Sequence, residues 1–383
     1  MDDSASPREV VLLVAGVLFA IFCFYLVLYC CNKERERKAE KRDEEFNKSL
    51  REAGQSAFEF PYAELCAATE NFSDDRKIGV GGFGSVYTGN LPGTNEAVAI
   101  KRISPSSEQG IREYVTEISI NSKLTHHNLV KFLGWSHREG DLLLVYELLP
   151  NGSLDKYIYE KPEAPLNWDR RYSIACDIAS ALVYLHEDRR ESIVHRDIKA
   201  SNVMLDSNFK PKLGDFGLAR VMEREKRGHT TVPAGTIGYI APEFVTTGKA
   251  TRPMDVFSFG ALSLEIACGR RPADWSLTEH NSRVVEWVWH LHGQHRILDA
   301  ADEKLGGNFN GEEMERLMKV GLLCSHPDPN ARPSMEKVVG ILKRGAEVPH
   351  VPLVFPVAVY GDLVPFDIMS PPSFSTFPEL IAL

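Results

Sequence analysis

The chain has 383 residues, of which 43% are hydrophobic and 25% are charged, and its formal net charge at pH 7 is −9. This length allows one large folded domain or two modest ones, and the composition is ordinary for a folded body. The acidic balance argues against nucleic acid as a main partner. The seven cysteines are scattered and odd in number, and none forms a C-x-x-C pair, so they predict reduced thiols and neither a disulfide framework nor a zinc site.

An uncharged and mostly apolar stretch runs from Val10 to Cys31. As a helix it would be roughly 33 Å long, enough to cross a hydrocarbon core of about 30 Å. A signal peptide is the alternative, but its apolar region is usually shorter and follows positive charge, whereas three acidic residues and one arginine precede this stretch. We therefore predict a short extracytoplasmic N-terminus (residues 1–9) and a single transmembrane helix (residues 10–31).

Basic residues follow the stretch directly, which places the rest of the chain on the cytosolic side, with the plasma membrane as the expected location. Cys30 and Cys31 at the inner face are candidates for S-palmitoylation, or are simply two more apolar residues of the span. Residues 32–57 are rich in Lys, Arg and Glu and predict a charged juxtamembrane linker, either mobile or a frayed helix. The tail over residues 346–383 contains seven prolines, so it should be extended and either packed on the folded domain or loose.

A glycine-rich pattern, G-x-G-x-x-G, opens the globular part of the chain. Glycines let the backbone approach phosphate oxygens and adopt positive φ. A dinucleotide-binding fold needs a helix directly after the glycines, but the following residues are strand-like, which favours a hairpin that lies over ATP. By itself the pattern could also be an ordinary glycine-rich turn. The candidate ATP-binding residues in it are Ile78, Gly79, Val80, Gly81, Gly82, Phe83, Gly84 and Val86.

Lys101 ends an apolar, strand-like run, so its ammonium group must reach solvent or find a partner. A capping box at residues 106–109 and apolar residues at helical spacing predict a helix after this strand. Glu113 and Glu117 lie one turn apart on that helix, and by spacing alone either could pair with Lys101. Such a pair would hold the lysine against the α- and β-phosphates of ATP.

Three further motifs follow in order, HRDIKASN, DFG and APE, and together they predict phosphoryl transfer by a protein kinase. This reaction depends on positioning and charge neutralisation more than on covalent chemistry. Asp197 can accept the proton of the substrate hydroxyl, and Lys199 can neutralise the γ-phosphate. Asn202 and Asp215 offer the hard oxygen ligands that Mg²⁺ prefers, with Mn²⁺ as an alternative.

Residues 58–345 resemble the kinase domain of plant receptor-like serine/threonine kinases, and most closely that of the L-type lectin receptor kinases. The resemblance is carried by four runs, at residues 60–72, 146–155, 195–206 and 265–272. It implies an α+β, two-lobed protein kinase fold, with a small β-rich N-lobe, a larger helical C-lobe and ATP in the cleft between them.

The resemblance also implies roles for individual residues. It selects Glu117 as the partner of Lys101, makes Asp255 the residue that braces the catalytic loop, and pairs Arg332 with Glu243. The residues that it adds to the ATP site are Ala99, the gatekeeper Tyr146, and Glu147 and Leu149, whose backbone meets adenine.

Two threonines between the DFG and APE motifs, Thr230 and Thr231, are candidate regulatory phosphorylation sites. Arg196 directly precedes the catalytic aspartate, and its charge-assisted hydrogen bonds to a phosphate there would order the loop. Thr236 is instead expected to contact the substrate and the catalytic loop. The Gly-Thr pair that contains it, together with Lys199, resembles serine/threonine kinases and not tyrosine kinases.

The lectin domain of that family has no counterpart in this sequence, because only about nine residues precede the predicted span. No carbohydrate site is therefore expected, and the chain could be a truncated gene copy or an incomplete gene model. The expected partners are ATP, protein substrates, the membrane and a co-receptor kinase. Two alternatives to an active kinase are a membrane-tethered pseudokinase or scaffold and a non-functional fragment of a lectin receptor.

Asn121 departs from the family pattern. It lies one turn after Glu117, where the kinases that this sequence resembles carry an aliphatic side chain in a column with Phe132, His195 and Phe216. A buried amide costs about 1–3 kcal/mol unless it finds partners. Either the amide finds partners, or the helix rests in a swung-out position with its ion pair broken until the kinase is activated. The second outcome is our expectation; an aliphatic residue at this position should then raise basal activity and stability together.

Overall fold

The computed structural model describes residues 7–55, 57–81, 84–103, 108–138, 141–160, 166–222, 235–277 and 282–357. The chain divides into two units after Gln55. The first unit contains helix α1 (Pro7–Gly54). This helix continues through residues 32–54, where the sequence predicted a mobile linker or a frayed helix.

The transmembrane helix predicted over residues 10–31 finds no support in the structure. Among the helices of the described residues, none combines the length and the apolar character that a membrane crossing requires. The side chains before Phe24, which belong to the greater part of the predicted span, are not described, although the backbone of this part lies within α1.

The second unit begins with the N-lobe, whose strands are β1 (Phe58–Glu59), β2 (Lys77–Gly81), β3 (Gly84–Asn90), β4 (Ala97–Ile103), β5 (Phe132–Arg138) and β6 (Asp141–Glu147). They form one sheet in the order β1-β5-β6-β4-β3-β2. Neighbouring strands are antiparallel except β1 and β5, which are parallel. Gly134 of β5 permits this added edge strand, because a Cβ there would lie 2.1 Å from Phe58 O.

The glycine-rich segment forms the hairpin between β2 and β3, as the sequence predicted. Because a strand and not a helix follows the glycines, the dinucleotide-binding alternative is excluded. Gly84 has a φ of +151°, and a Cβ there would lie 2.0 Å from Arg102 O, so only glycine fits at this position. Gly82 and Phe83 at the tip lie outside the described residues.

Among its described residues, the N-lobe carries the helices α2 (Tyr62–Ala68) and α3 (Glu108–Asn121). Helix α2 packs against β3 and β5, and α3 packs against β5 and β6. Tyr114 of α3 is buried and donates a hydrogen bond to Ser136 O at 2.8 Å, which attaches the helix to the sheet. The capping box predicted at residues 106–109 falls largely outside the described residues.

The C-lobe is mainly helical, with α4 (Leu154–Tyr159), α5 (Trp168–His186), α6 (Pro242–Thr247), α7 (Arg252–Cys268), α8 (Val284–Gly293), α9 (Gly311–Cys324) and α10 (Met335–Arg344). Helix α7 is buried over most of its length and packs against α5, α8 and α9. Short strands support the catalytic segments: β7 (Ser192–Val194) pairs with β10 (Arg220–Met222), and β8 (Val203–Leu205) with β9 (Pro211–Leu213). The predicted two-lobed α+β kinase fold is confirmed.

The first part of the proline-rich tail packs on the C-lobe. Val351 is buried, and Trp289 of α8 donates from Nε1 to Pro352 O at 2.8 Å. The rings of Trp289 and Phe355 meet edge to face with their centroids 5.3 Å apart. Of the two outcomes left open for the tail, the packed one therefore holds at Val351, Pro352 and Phe355, whereas residues 358–383 lie outside the described residues.

Candidate active site

Lys101 lies between two carboxylates. Its Nζ on β4 is 3.1 Å from Glu117 Oε2 on α3 and 2.8 Å from Asp215 Oδ1, just after β9. Glu117 is almost fully buried, at 1% exposure. The structure thus pairs the lysine with Glu117, the partner that the resemblance selected over Glu113.

Burial and attraction oppose each other in this group. Burial lowers the pKa of Lys101, but Asp215 and Glu117 outweigh it, so the pKa lies above its ordinary value and the lysine is a cation. Burial raises the pKa of Asp215, yet the nearby Lys101 ammonium is the stronger influence and holds the pKa below its ordinary value. For Glu117, burial prevails and the pKa is raised, although Lys101 opposes the shift. The group therefore presents a fixed cation beside an ionised aspartate.

Asn121 finds its partner in Tyr146, at the end of β6. Its Nδ2 donates to Tyr146 Oη at 3.3 Å, and the tyrosine hydroxyl donates in turn to Glu117 Oε1. Helix α3 is therefore held in place with the ion pair between Lys101 and Glu117 formed. The expected swung-out helix is wrong, because the Tyr146 hydroxyl, from another element, satisfies the amide that was expected to displace the helix.

Aromatic contacts link the sheet and the catalytic loop to this region. The rings of Phe132 and Tyr146 lie 5.4 Å apart, and those of His195 and Phe216 lie 4.7 Å apart. Burial lowers the pKa of His195, and its Nε2 lies 3.1 Å from Gly214 O. A neutral histidine that donates to this carbonyl therefore connects the catalytic loop to the residue before the DFG motif.

Asp197 is held by three polar neighbours. Asn202 Nδ2 donates to Asp197 O at 2.8 Å and to its Oδ2 at 3.0 Å. Lys199 Nζ lies 2.8 Å from Oδ2 of the same carboxylate. Thr236 Oγ1 donates to Asp197 Oδ1 at 3.0 Å and accepts a hydrogen bond from Lys199 Nζ at 3.0 Å. The predicted contact between Thr236 and the catalytic loop is confirmed, and the carboxylate is fixed beside a cation.

Asp255 of α7 braces this loop, as the resemblance implied. It is fully buried and accepts hydrogen bonds from His195 N at 2.7 Å and from Arg196 N at 2.8 Å. Its Oδ2 also lies 2.9 Å from His186 Nε2 of α5. Arg196 has a φ of +73°, a left-handed conformation that is uncommon for a residue other than glycine. The carboxylate of Asp255 therefore holds a strained backbone directly before the candidate base.

Asn202 and Asp215 have the chemistry to hold a divalent cation. The amide nitrogen of Asn202 is directed to Asp197, so its oxygen is the atom that can serve as a ligand. Within the part of the chain that the structure describes, no group of three or more His, Cys, Asp and Glu side chains could hold a metal by itself. A cation here would complete its coordination with phosphate oxygens and water, which is usual for Mg²⁺.

The remaining candidate ATP-binding residues lie on the hairpin and along β4 and β6. Ile78 and Val80 expose 47% and 71% of their surface, which is unusual for large apolar side chains and leaves them able to cover a ligand. Ala99 lies opposite Tyr146 in the register of β4 and β6. The other members of the set lie on the strands of the hairpin, on β6 or on the segment after β6. They are Gly79, Gly81, Gly84, Val86, Glu147 and Leu149.

The candidate phosphorylation sites Thr230 and Thr231 lie outside the described residues. Arg196, their expected partner, is almost fully buried and donates from Nη1 to Leu218 O at 3.0 Å. Burial lowers the pKa of Arg196 to about 10, and repulsion from the nearby Arg220 acts in the same direction. Two cations therefore lie close together where the segment that bears both threonines begins.

One cluster at the end of α7 escaped the sequence interpretation. Glu265 is fully buried and accepts hydrogen bonds from Tyr159 Oη and, at 2.6 Å, from Tyr239 Oη. Burial raises the pKa of Glu265 to about 8. Tyr239 lies just before the APE motif, so this carboxyl group anchors the segment that follows Thr236. A single charged residue within an otherwise apolar helical run was the available signal.

These lobes and this constellation define a protein kinase. Residues 72–341 match the protein kinase domain family, and the chain belongs to this family. The match covers both the glycine-rich hairpin and the C-lobe through most of α10.

Relatives are found among the receptor kinases of Arabidopsis thaliana. The chain is 47% identical to L-type lectin-domain containing receptor kinase IX.1 over 349 residues, which is 90% of this chain and 53% of that protein. It is 46% identical to receptor kinase IV.1 of the same type over 335 residues, 87% of this chain and 49% of that protein. For receptor kinase IX.2 the identity is 44% over 370 residues, 94% of this chain and 54% of that protein. The resemblance to receptor-like kinases is confirmed, and the chain spans about half the length of these relatives.

Proposed function

We propose that this chain is a serine/threonine protein kinase that transfers the γ-phosphate of ATP to hydroxyl groups of proteins. One observation carries the proposal. Asp197 is fixed 2.8 Å from the Lys199 ammonium, while Lys101 is fixed between Glu117 and Asp215. This arrangement supplies a base for the acceptor hydroxyl and separate cations for the transferred and the retained phosphates.

Each residue has a defined part in the proposed transfer. Asp197 accepts the proton of the substrate hydroxyl as its oxygen attacks the γ-phosphorus, and Lys199 balances the charge on the phosphoryl group in transit. Lys101 holds the α- and β-phosphates, which leave as part of ADP. When bound by Asn202 and Asp215, Mg²⁺ supplies further charge neutralisation to the phosphate oxygens.

Thr236 supports serine and threonine as acceptors. Its hydroxyl joins Asp197 to Lys199, so the base and the cation are held by the same segment that would receive the substrate. The intact contacts of Lys101 and Asp197 argue against the pseudokinase alternative. The names of the related receptor kinases support a role in receptor-linked signalling, in which protein substrates and a co-receptor kinase are the partners.

A phosphotransfer assay on the full chain tests the proposal. The purified protein, with ATP and Mg²⁺, should label itself or a generic protein substrate on serine and threonine, and Asp197→Asn should lower this activity on the order of 10²-fold or more. Thermal unfolding of the same variant controls for a folding defect. Equal labelling by the wild type and Asp197→Asn, or labelling of tyrosine alone, would contradict the assignment.

Attachment to a membrane, with the kinase on the cytosolic side, is part of the proposal. It is supported by the apolar residues 10–31 and by the similarity to receptor kinases. Deleting residues 10–31 should release the protein into the soluble fraction. The matched variant, Cys30→Ser with Cys31→Ser, removes the candidate acylation sites and should stay bound through an alkaline carbonate wash. If that double variant washes off, a lipid and not the span is the anchor.

A further inference from the structure

We infer that Asn121 is a positioning residue that holds helix α3 in its competent place through the hydroxyl of Tyr146. Asn121 and Glu117 lie one turn apart on the same face of α3, and both bond to one atom, Tyr146 Oη at the end of β6. We call these three residues the hydroxyl clamp. Two residues of the helix are thus joined to the sheet through a single oxygen atom.

The hydrogen-bond directions give Asn121 a specific part in the clamp. A tyrosine hydroxyl has one proton to donate and lone pairs that accept. The amide of Asn121 donates to the oxygen, so the hydroxyl proton is directed to the Glu117 carboxylate. Asn121 and Glu117 expose only 5% and 1% of their surface, so water cannot readily replace either partner.

Two contacts one turn apart also restrict how α3 can move. Moving the last turn of α3 away from β6 would lengthen both contacts to Tyr146 Oη. The position of Glu117 then fixes Lys101, whose Nζ also lies 2.8 Å from Asp215 Oδ1. An amide that the sequence pattern marks as unfavourable thus stabilises the ion pair of the active site.

Amide hydrogen exchange of α3 in the nucleotide-free full chain tests the clamp. Asn121→Leu removes the donor while keeping the number and branching of the side-chain heavy atoms, and the α3 amides should exchange about two- to tenfold faster. Tyr146→Phe should give a comparable increase, and the double variant should exchange no faster than the faster single variant. Ser122→Ala is the matched control, because Ser122 lies directly after α3 and its Oγ donates to Ser119 O at 3.3 Å and not to Tyr146; its exchange should equal that of the wild type.

A kinetic measurement separates positioning from a general loss of stability. Asn121→Leu should lower kcat while KM for a peptide substrate stays unchanged, because the clamp lies in the N-lobe. The inference rests on the proposed kinase activity for this measurement only, and the exchange experiment decides it even if the chain transfers no phosphate. Unchanged or slower exchange in Asn121→Leu, or additive effects of the two single variants, would overturn the inference.

Discussion

Arg332 donates from Nη1 and Nη2 to the two carboxylate oxygens of Glu243, at 2.6 and 2.8 Å. The two residues are 89 positions apart, and the arginine side chain is only 1% exposed. Its Nε also donates to His326 O at 2.7 Å. This pair, which the resemblance implied, attaches the end of the APE motif to the turn that precedes α10.

Breaking this pair should strongly destabilise the protein. Arg332→Met leaves the buried Glu243 carboxylate without its partner, so the free energy of unfolding should fall by about 3–5 kcal/mol. The control is Arg283→Met, whose partner Glu286 and whose own side chain are 40% and 44% exposed. That exposed pair should contribute less than about 1 kcal/mol. Urea denaturation measures both variants, and equal losses would show that the Arg332 pair is not a structural contact of this strength.

The Thr236 hydroxyl should be needed for catalysis. Thr236→Val keeps the shape but removes the bridge between Lys199 and Asp197, so kcat should fall about 10- to 10²-fold. Thr236→Ser keeps the hydroxyl and should retain most of the activity. Steady-state assays on a peptide substrate compare the two variants. Similar kcat values for valine and serine would remove Thr236 from the proposed machinery.

The activation segment should respond to phosphate. A phosphate on Thr230 or Thr231 would bring negative charge to the two neighbouring cations Arg196 and Arg220, which repel each other. Replacing both threonines with alanine should therefore lower activity, whereas replacing Thr246, which lies on α6 after the APE motif, should not. Phosphosite mapping of an active preparation should find a phosphate on one of the two. An active preparation in which both are unmodified would refute this mode of activation.

Glu265 should make stability depend on pH. Its pKa is raised to about 8 by burial, whereas the unfolded carboxyl group ionises near pH 4.3. Between about pH 4.5 and 8 the folded chain keeps a proton that the unfolded chain has lost, so the contribution to stability falls as pH rises, by at most about 1.4 kcal/mol per pH unit. The stabilising contribution of Glu265 is fully present below the pKa of the unfolded state and is lost once the pH has risen above the pKa of the folded state.

The comparison of wild type with Glu265→Gln isolates this effect from other titrating groups. The free energy of unfolding of the wild type minus that of Glu265→Gln should decrease from pH 5 to 8 and level off above pH 8. Denaturant titrations at each pH provide the values. A difference that does not vary with pH would show that Glu265 ionises normally in the folded protein.

The packed part of the tail should stabilise the C-lobe. A chain that ends at Gly345 loses the burial of Val351 and the hydrogen bond from Trp289 to Pro352, so its free energy of unfolding should fall by about 2–4 kcal/mol. The matched control ends at Val357 and keeps every described contact of the tail. Differential scanning calorimetry of the two chains should show the lower Tm for the shorter one. Coincident transitions would mean that these contacts do not contribute.

The sequence by itself determined the class of protein and most of the candidate site. Ordered motifs place Lys101, Asp197 and Asp215, because phosphoryl transfer requires charged groups at fixed spacing and local backbone patterns hold them there. The glycine-rich hairpin followed from the strand-like residues after it. These features depend on short segments whose residue types are tied directly to chemistry.

Only the tertiary structure decided how polar groups far apart in sequence satisfy one another. The sequence named Asn121 and Tyr146 separately and predicted a displaced helix, since no pattern shows that a hydroxyl 25 positions away lies within 3.3 Å of the amide. The buried Glu265 between two tyrosines was missed for the same reason. A buried polar group is costly or stabilising according to its partners, and those partners come from packing between elements and not from local sequence.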